Sequence, residues 1–346
     1  MTVLSRRNFM VGSSIALCSL PTMAASGEDK FDASADVVVV GLGGAGAAAA
    51  ITAADNNASV IILEKQPLSS LRSNTRMSGG WVHCPDKDGN KEELRKYFRA
   101  LFSAKYDDKP SVGEEDDVSN GMAEYWVQYT PELVTWLQSL DPELKGKKFS
   151  GPAQYVNFPG AKTSSYASFH LMYPERMGKT SSYNKPKSEA TEGEALWRAL
   201  GKGIADRQAK IKIMDSTPAV ELITAPDGEV VGVIAEKDGK PIRVQAKKGV
   251  ILASGGYEYS AEMRKAFLPG PSVEGFAFYG TPYNEGDGIR MGLKAGAALS
   301  KVSSCAARMI WAPPVYHKGM RIGVTTAGVG SPGSFVVNAL GDRFIA

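Results

Sequence analysis

The sequence predicts an α/β fold organised on a parallel sheet, and three observations within one stretch predict it. The stretch ADVVVVGLGGAGAAAAITAADNNASVIILEK opens and closes with short apolar runs, Val37 to Val40 and Val60 to Leu63. Unbroken β-branched runs of this length suit strands buried on both faces. Between them, Ala45 to Asp55 is rich in alanine, the strongest helix former. At the strand-to-helix turn, Gly41, Gly43 and Gly46 stand in G-x-G-x-x-G order. Strand, glycine turn, helix and second strand in this order make a Rossmann-like βαβ unit.

Each glycine has a separate physical task. Gly41 permits the tight turn, Gly43 lets a pyrophosphate approach the backbone, and Gly46 with the alanines behind it lets the helix pack close on the strand. The helix N-terminus faces the phosphates, whose charge it favours. Glu64 ends the second strand 23 residues after Gly41, where a carboxylate accepts both ribose hydroxyls. An acid there disfavours a 2′-phosphate and leaves NAD and FAD both open.

Three later segments carry further glycine turns. NTRMSGGW places Gly79 and Gly80 soon after the βαβ unit; GVILASGGYE runs a buried strand into Gly255 and Gly256; TPYNEGDGIRMGLKAGAAL sets Gly286, Asp287 and Gly288 before an amphipathic helix. Each doublet alone fits an ordinary turn. Together they suit a long ligand that meets the sheet edge repeatedly, which points to FAD.

Elsewhere the chain is less regular. Residues 107 to 120 mix charge with Pro and Gly and read as a solvated loop. GMAEYWVQYTPELVTWLQSL reads as helix broken at Pro131, with Trp126, Leu133, Trp136 and Leu137 as core. The Ser/Tyr/Lys-rich segment from Phe158 to Ala190 reads as a long loop, in which His170 and Arg176 fit packing or solvation better than substrate contact. From Ile211 the pattern turns to strands, with Asp227-Gly228 and Asp238-Gly239 as hairpin turns. The expected organisation is a signal at 1–25, a nucleotide-binding domain at 34–300 with a loop-rich insertion at about 106–191, and the beginning of a capping domain at 301–346.

The first segment stands outside the fold. SRRNFMVGSSIALCSLPTMAAS pairs Arg6 and Arg7 with a short apolar run and small residues, as a cleavable export signal does. Ser-Arg-Arg-x-Phe-Met resembles the twin-arginine signal, with an ordinary secretory signal as the alternative. Twin-arginine export carries folded, cofactor-loaded protein to the periplasm or another extracytoplasmic space. No other segment calls for a membrane span. Removing two arginines from 40 basic residues leaves 38 against 37 acidic ones, which makes no electrostatic case for nucleic acid. Three cysteines and three histidines without close spacing argue against a disulfide framework and a structural metal.

The segments quoted above, together with LEK, RSNTRMSGG and PGSFVVNALGDRF, resemble the FAD-dependent fumarate reductase/succinate dehydrogenase flavoproteins, with 3-ketosteroid dehydrogenases as a branch. The resemblance runs from Ala35 to Arg343 and is weakest from Tyr106 to Thr191. It implies a Rossmann-like FAD-binding domain with a β-rich insertion, and FAD lined by Gly43, Gly44, Glu64, Lys65, Asn74, Thr75, Gly79, Gly80, Val220 and Asp287. Membrane-bound relatives hold the flavin covalently through a histidine in an Arg-Ser-His-Thr run. The run here is Arg72-Ser73-Asn74-Thr75, so non-covalent FAD is expected. In the family's fumarate reductases the G-x-R-F arginine protonates carbon opposite hydride delivery from flavin N5, and the resemblance implies that role for Arg343.

Two departures qualify what is carried over. Fumarate reductases place a His-Pro-Thr segment and a Thr-Glu pair ahead of G-x-R-F. Here that stretch reads Trp311-Ala312-Pro313-Pro314 and lacks both, which is more like the ketosteroid branch. His317 and Tyr316 are the nearby substitutes. The family motif also continues past this point into the rest of a cap, so either a fragment or truncated gene product is expected, or a remainder supplied by another chain. The implied function is reduction of an activated C=C bond, with electrons from an external donor such as a cytochrome or a quinol-linked protein. The alternatives are desaturation of a steroid-like ketone, or flavin binding without catalysis.

Overall fold

The computed structural model describes residues 30–103, 114–150, 158–161, 167–173, 193–268 and 280–300, with short pieces at 302, 310–311, 314–317, 320–321, 324–325 and 340–342. The chain begins with strand β1 (Ala33–Val40), helix α1 (Gly44–Asp55) and strand β2 (Val60–Leu63). A one-turn helix α2 (Asn74–Met77) and strand β3 (Trp81–His83) lead to helices α3 (Lys91–Ser103), α4 (Glu114–Tyr129) and α5 (Leu133–Leu140). Strands β4 (Lys145–Ser150) and β5 (Ala167–Met172) precede helix α6 (Gly193–Ala205). Strands β6 (Ile211–Met214), β7 (Ala219–Thr224), β8 (Val230–Lys237) and β9 (Lys240–Leu252) follow, then helices α7 (Ala261–Phe267) and α8 (Asp287–Lys294). Four two-residue strands are described beyond α8: β10 (Ile310–Trp311), β11 (Tyr316–His317), β12 (Met320–Arg321) and β13 (Val324–Thr325).

The main sheet has the order β6-β2-β1-β9-β8-β7. Its first four strands are parallel, and β9, β8 and β7 form an antiparallel meander. The apolar runs are continuous because both faces are covered. Val39 and Ile62 face a core with Ala47, Ala50 and Ile51 of α1 and Leu200 of α6. Val38, Val40, Ile61 and Leu63 face the other way, toward Val233, Val244 and Met291 of α8.

Both expected hairpin turns are present. Asp238 and Gly239 take φ of 51° and 73° between β8 and β9, and Lys237 pairs with Lys240 across them. Two positive-φ residues in a row match the twist of the strands they join. At the other turn Gly228 takes φ of 90°, and its N–H donates to the Ala225 carbonyl at 2.9 Å.

Described residues within the expected loop-rich insertion form helices and strands. Helix α4 starts at Glu114, inside the segment expected to be a solvated loop. Acidic residues in a first helical turn are favourable against the N-terminal end of the dipole, so charge there does not oppose a helix. The Pro131 break is a single 3-10 turn, Thr130–Glu132, between α4 and α5. Leu137 is buried in the main core, Leu133 and Trp136 pack against it, and Trp126 packs with Tyr97 and Phe98 of α3. Strand β5 also lies in a segment expected to be loop. It is flanked by β3 and β4 in a three-stranded antiparallel sheet. Partners on both sides supply the hydrogen bonds and the packing, and irregular local periodicity does not prevent that.

Candidate FAD-binding site

The carboxyl ends of β1, β2 and β9 converge at one cleft, the place where open parallel sheets bind ligands. Their backbones are tied together there. The Gly41 N–H donates to the Leu63 carbonyl at 2.8 Å, and the Ala253 N–H donates to the Val40 carbonyl at 2.8 Å.

The three motif glycines differ in what surrounds them. A Cβ on Gly41, whose φ is +99°, would lie 2.6 Å from the Ala253 carbonyl oxygen. A Cβ on Gly46 would overlap the Gly41 carbonyl oxygen. Both are glycines because their own chain leaves no room. Gly43 is different: the nearest atom a Cβ would meet is Ser73 Cβ at 3.9 Å. Space beside a backbone that begins a helix, open on the cleft, fits a phosphate that must approach closely. The next residue, Gly44, donates its N–H to Thr75 Oγ1 at 2.9 Å, which sets the α2 turn against the N-terminus of α1.

Glu64 is 5% exposed, and its two oxygens accept from two backbone amides, Leu42 N–H and Gln66 N–H, each at 2.8 Å. Every carboxylate oxygen has capacity for a further donor, so the glycine turn and a ribose can be held together. Lys65 pairs with Asp287 at 2.6 Å and Glu285 at 3.4 Å, joining the end of β2 to the start of α8. On the opposite wall, Glu258 Oε1 accepts from the side-chain amides of Asn74 and Asn284, both at 2.9 Å.

Of the residues expected at the site, Gly41, Gly43, Gly44, Glu64, Lys65, Asn74, Thr75, Gly255, Gly256 and Asp287 line this cleft. Gly46, Gly79, Gly80, Val220, Gly286 and Gly288 stand behind or beside it. Gly79 packs near Trp81, Gly286 takes φ of 82° as the cap of α8, and a Cβ on Gly288 would overlap Ser254 Oγ. Val220 is exposed on β7, while its neighbour Ala219 lines the cleft. Sequence reasoning missed Gln66, Ser73, Ser254, Glu258, Thr281, Tyr283 and Asn284, which also line it. They belong to no spacing rule; only their nearness to glycine turns was a signal. Arg343 lies outside the described residues. Tyr316 is exposed, and His317 takes part in the β11–β12 pairing.

The donor set fits FAD: a glycine with open space at a helix N-terminus, a buried acid at the end of β2, and polar side chains along the remaining wall. No described helix is long and apolar enough to cross a membrane.

The comparisons agree with this geometry. The family model described as an FAD binding domain matches residues 36–346. The 3-oxosteroid 1-dehydrogenase of Mycolicibacterium smegmatis is 28% identical over 90% of this chain and 61% of its own. A fumarate reductase (cytochrome) of Shewanella frigidimarina is 26% identical over 94% of this chain and 52% of its own. The chain therefore spans about 61% and 52% of the length of these two relatives. In fold, a 3-ketosteroid Δ1-dehydrogenase structure from Sterolibacterium denitrificans superposes with a TM-score of 0.64 and 21% identity, over 84% of this chain and 59% of that one. The open conformation of a flavocytochrome c3 fumarate reductase gives 0.57 and 21%, over 85% and 45%. With the cleft, its glycines and these matches together, the chain belongs to the FAD-binding domain family that includes fumarate reductase and 3-oxosteroid dehydrogenase flavoproteins.

Proposed function

We propose that this chain is the flavin-binding part of an oxidoreductase that reduces an activated C=C bond of a small substrate. The observation that carries the reading is the open space at Gly43 at the N-terminus of α1, opposite the Glu64 carboxylate at the end of β2. FAD, when bound, supplies hydride from N5 of its ring. In this reading Arg343 anchors the substrate's anionic group and passes a proton to the neighbouring carbon. Electrons reach the flavin from a separate donor such as a cytochrome or a quinol-linked protein. The test is to load the protein with FAD and follow oxidation of a reduced dye across a panel of α,β-unsaturated acids. Dye oxidation that Arg343→Ala abolishes supports the proposal; flavin-loaded protein inert toward every acid overturns it.

Desaturation of a cyclic ketone is the second reading, favoured by the Trp311–Pro314 segment and by the absence of the His-Pro-Thr and Thr-Glu pieces ahead of Arg343. Bleaching of the bound flavin by a ketosteroid, with no added reductant, would select it. In both readings FAD is held without a covalent bond, since the Asn74 amide is no nucleophile and is engaged by Glu258. Acid precipitation should release the flavin to the supernatant; flavin retained in the pellet would refute this. Export by the twin-arginine route is proposed from Arg6 and Arg7, with residues 301–346 as the start of a cap. Lysine at both positions 6 and 7 should then hold the protein in the cytoplasm, and undiminished export would count against it.

A further inference from the structure

Thr281 lies on the cleft wall, is 3% exposed, and its hydroxyl has no hydrogen-bond partner among the described residues. Its backbone is held firmly. The Thr281 N–H donates to Asn74 Oδ1 at 2.7 Å, and the same Asn74 donates its Nδ2 to Glu258 at 2.9 Å. Asn284, three residues on, donates to that carboxylate as well. Asn74, Glu258 and Asn284 thus clasp the segment that carries Thr281 and preorganise its position. A buried hydroxyl without a partner costs stability. Here the cost falls on a residue facing the cofactor cleft, while Asn74, Glu258 and Asn284 beside it are engaged with one another.

The contacts also order the cleft. Glu64 is bonded to Leu42 at the start of the glycine turn, and Gly44 is bonded to Thr75 at its far side. Asn74, next to Thr75, begins the clasp. Adenosine ribose at Glu64 and pyrophosphate at Gly43 leave the ribityl–flavin half of the dinucleotide for the wall with Thr281. A single χ1 rotation moves a threonine hydroxyl between staggered positions and can turn it toward the cleft.

We propose that Thr281 is a flavin-binding residue whose hydroxyl bonds a polar atom of the ribityl–isoalloxazine half of FAD. The inference rests on the FAD reading of the cleft. It implies opposite effects of one substitution on the free and the loaded protein. Thr281→Val removes the hydroxyl at nearly constant shape. The apo protein should then be as stable as before or more stable, because a buried orphan is gone. FAD should bind about tenfold more weakly, the scale of one lost hydrogen bond. Thr281→Ser should restore affinity.

The experiment measures apo unfolding in urea and the dissociation constants of FAD, riboflavin and ADP for wild type and both variants. Weaker FAD and riboflavin, unchanged ADP and undiminished apo stability support the proposal. Unchanged FAD affinity in Thr281→Val overturns it, as does an equal loss for ADP, which would place the hydroxyl on the adenine half. Apo protein destabilised by Thr281→Val would also overturn it, since the hydroxyl would then serve the fold. Wild type that binds no FAD would sink the underlying reading of the cleft instead, so the two failures are distinct.

Discussion

The β1–α1–β2 unit and the β3–β5–β4 sheet with helices α3 and α4 are built on different terms. In the first, neighbours in space are near neighbours in sequence. Gly46 packs on Gly41, and Val37 to Val40 pair with Val60 to Leu63. In the second, the partners are far apart. Trp81 lies opposite His170, and Lys147 lies opposite the same residue on the other side. The first region presents backbone to a ligand and must keep side chains out. The second encloses an aromatic cluster in which His83 meets Phe98 with ring centroids 4.9 Å apart and accepts a hydrogen bond from Trp126 Nε1 at 2.9 Å. One region is limited by the space it leaves open, and the other by the space it fills.

The largest test of that contrast lies in the glycine turn. Gly46→Ala should destabilise the apo protein by about 3 kcal/mol, the upper part of the range for overpacking, because its methyl overlaps a backbone carbonyl that cannot swing aside. Thermal unfolding would read this, and a fold as stable as wild type would break the comparison. Gly43→Ala, only three residues away in sequence, should leave apo stability within about 0.5 kcal/mol of wild type. Its cost should fall on the cofactor, with FAD affinity reduced about tenfold or more. Equal FAD binding by both proteins would mean that the open space at Gly43 is not where a phosphate approaches.

A pH-dependent effect should mark the aromatic cluster. Burial holds His83 down to about 4, from an ordinary 6.5. The folded state therefore favours the neutral ring, and the unfolded chain takes up a proton first as pH falls. Stability from this residue is complete above pH 6.5 and is lost as pH drops from 6.5 toward 4, by at most about 3 kcal/mol and by less if water enters the site on protonation. His83→Asn keeps an acceptor for the Trp126 N–H and removes the titration. Its urea midpoint should lose this part of the pH dependence, and an unchanged slope between pH 4 and 6.5 would place the titrating group elsewhere.

Much of the first region was legible because its rules are local. A β-branched run, a glycine turn and an alanine-rich helix each announce themselves within a dozen residues. Turns such as Asp238-Gly239 do so within two, since few residues accept positive φ in succession. The packing role of Gly46 was legible too, whereas that of Gly288, whose Cβ would overlap Ser254 Oγ, was not. Glu258, Thr281 and Asn284 were not legible. Nothing in SGGYE or TPYNE says that a glutamate after one strand will clasp asparagines from two other segments.

By itself the sequence determined the parallel core, the place of the nucleotide turn and the acid at the end of β2, because backbone sterics and burial of short apolar runs act over short distances. Only the tertiary structure decided that β7, β8 and β9 extend the same sheet and that β5 forms between β3 and β4. It alone also decided which polar side chains share a wall of the cleft. Those outcomes depend on pairing and hydrogen bonding between residues up to 222 positions apart, as Lys65 and Asp287 are, and no local pattern encodes such a meeting.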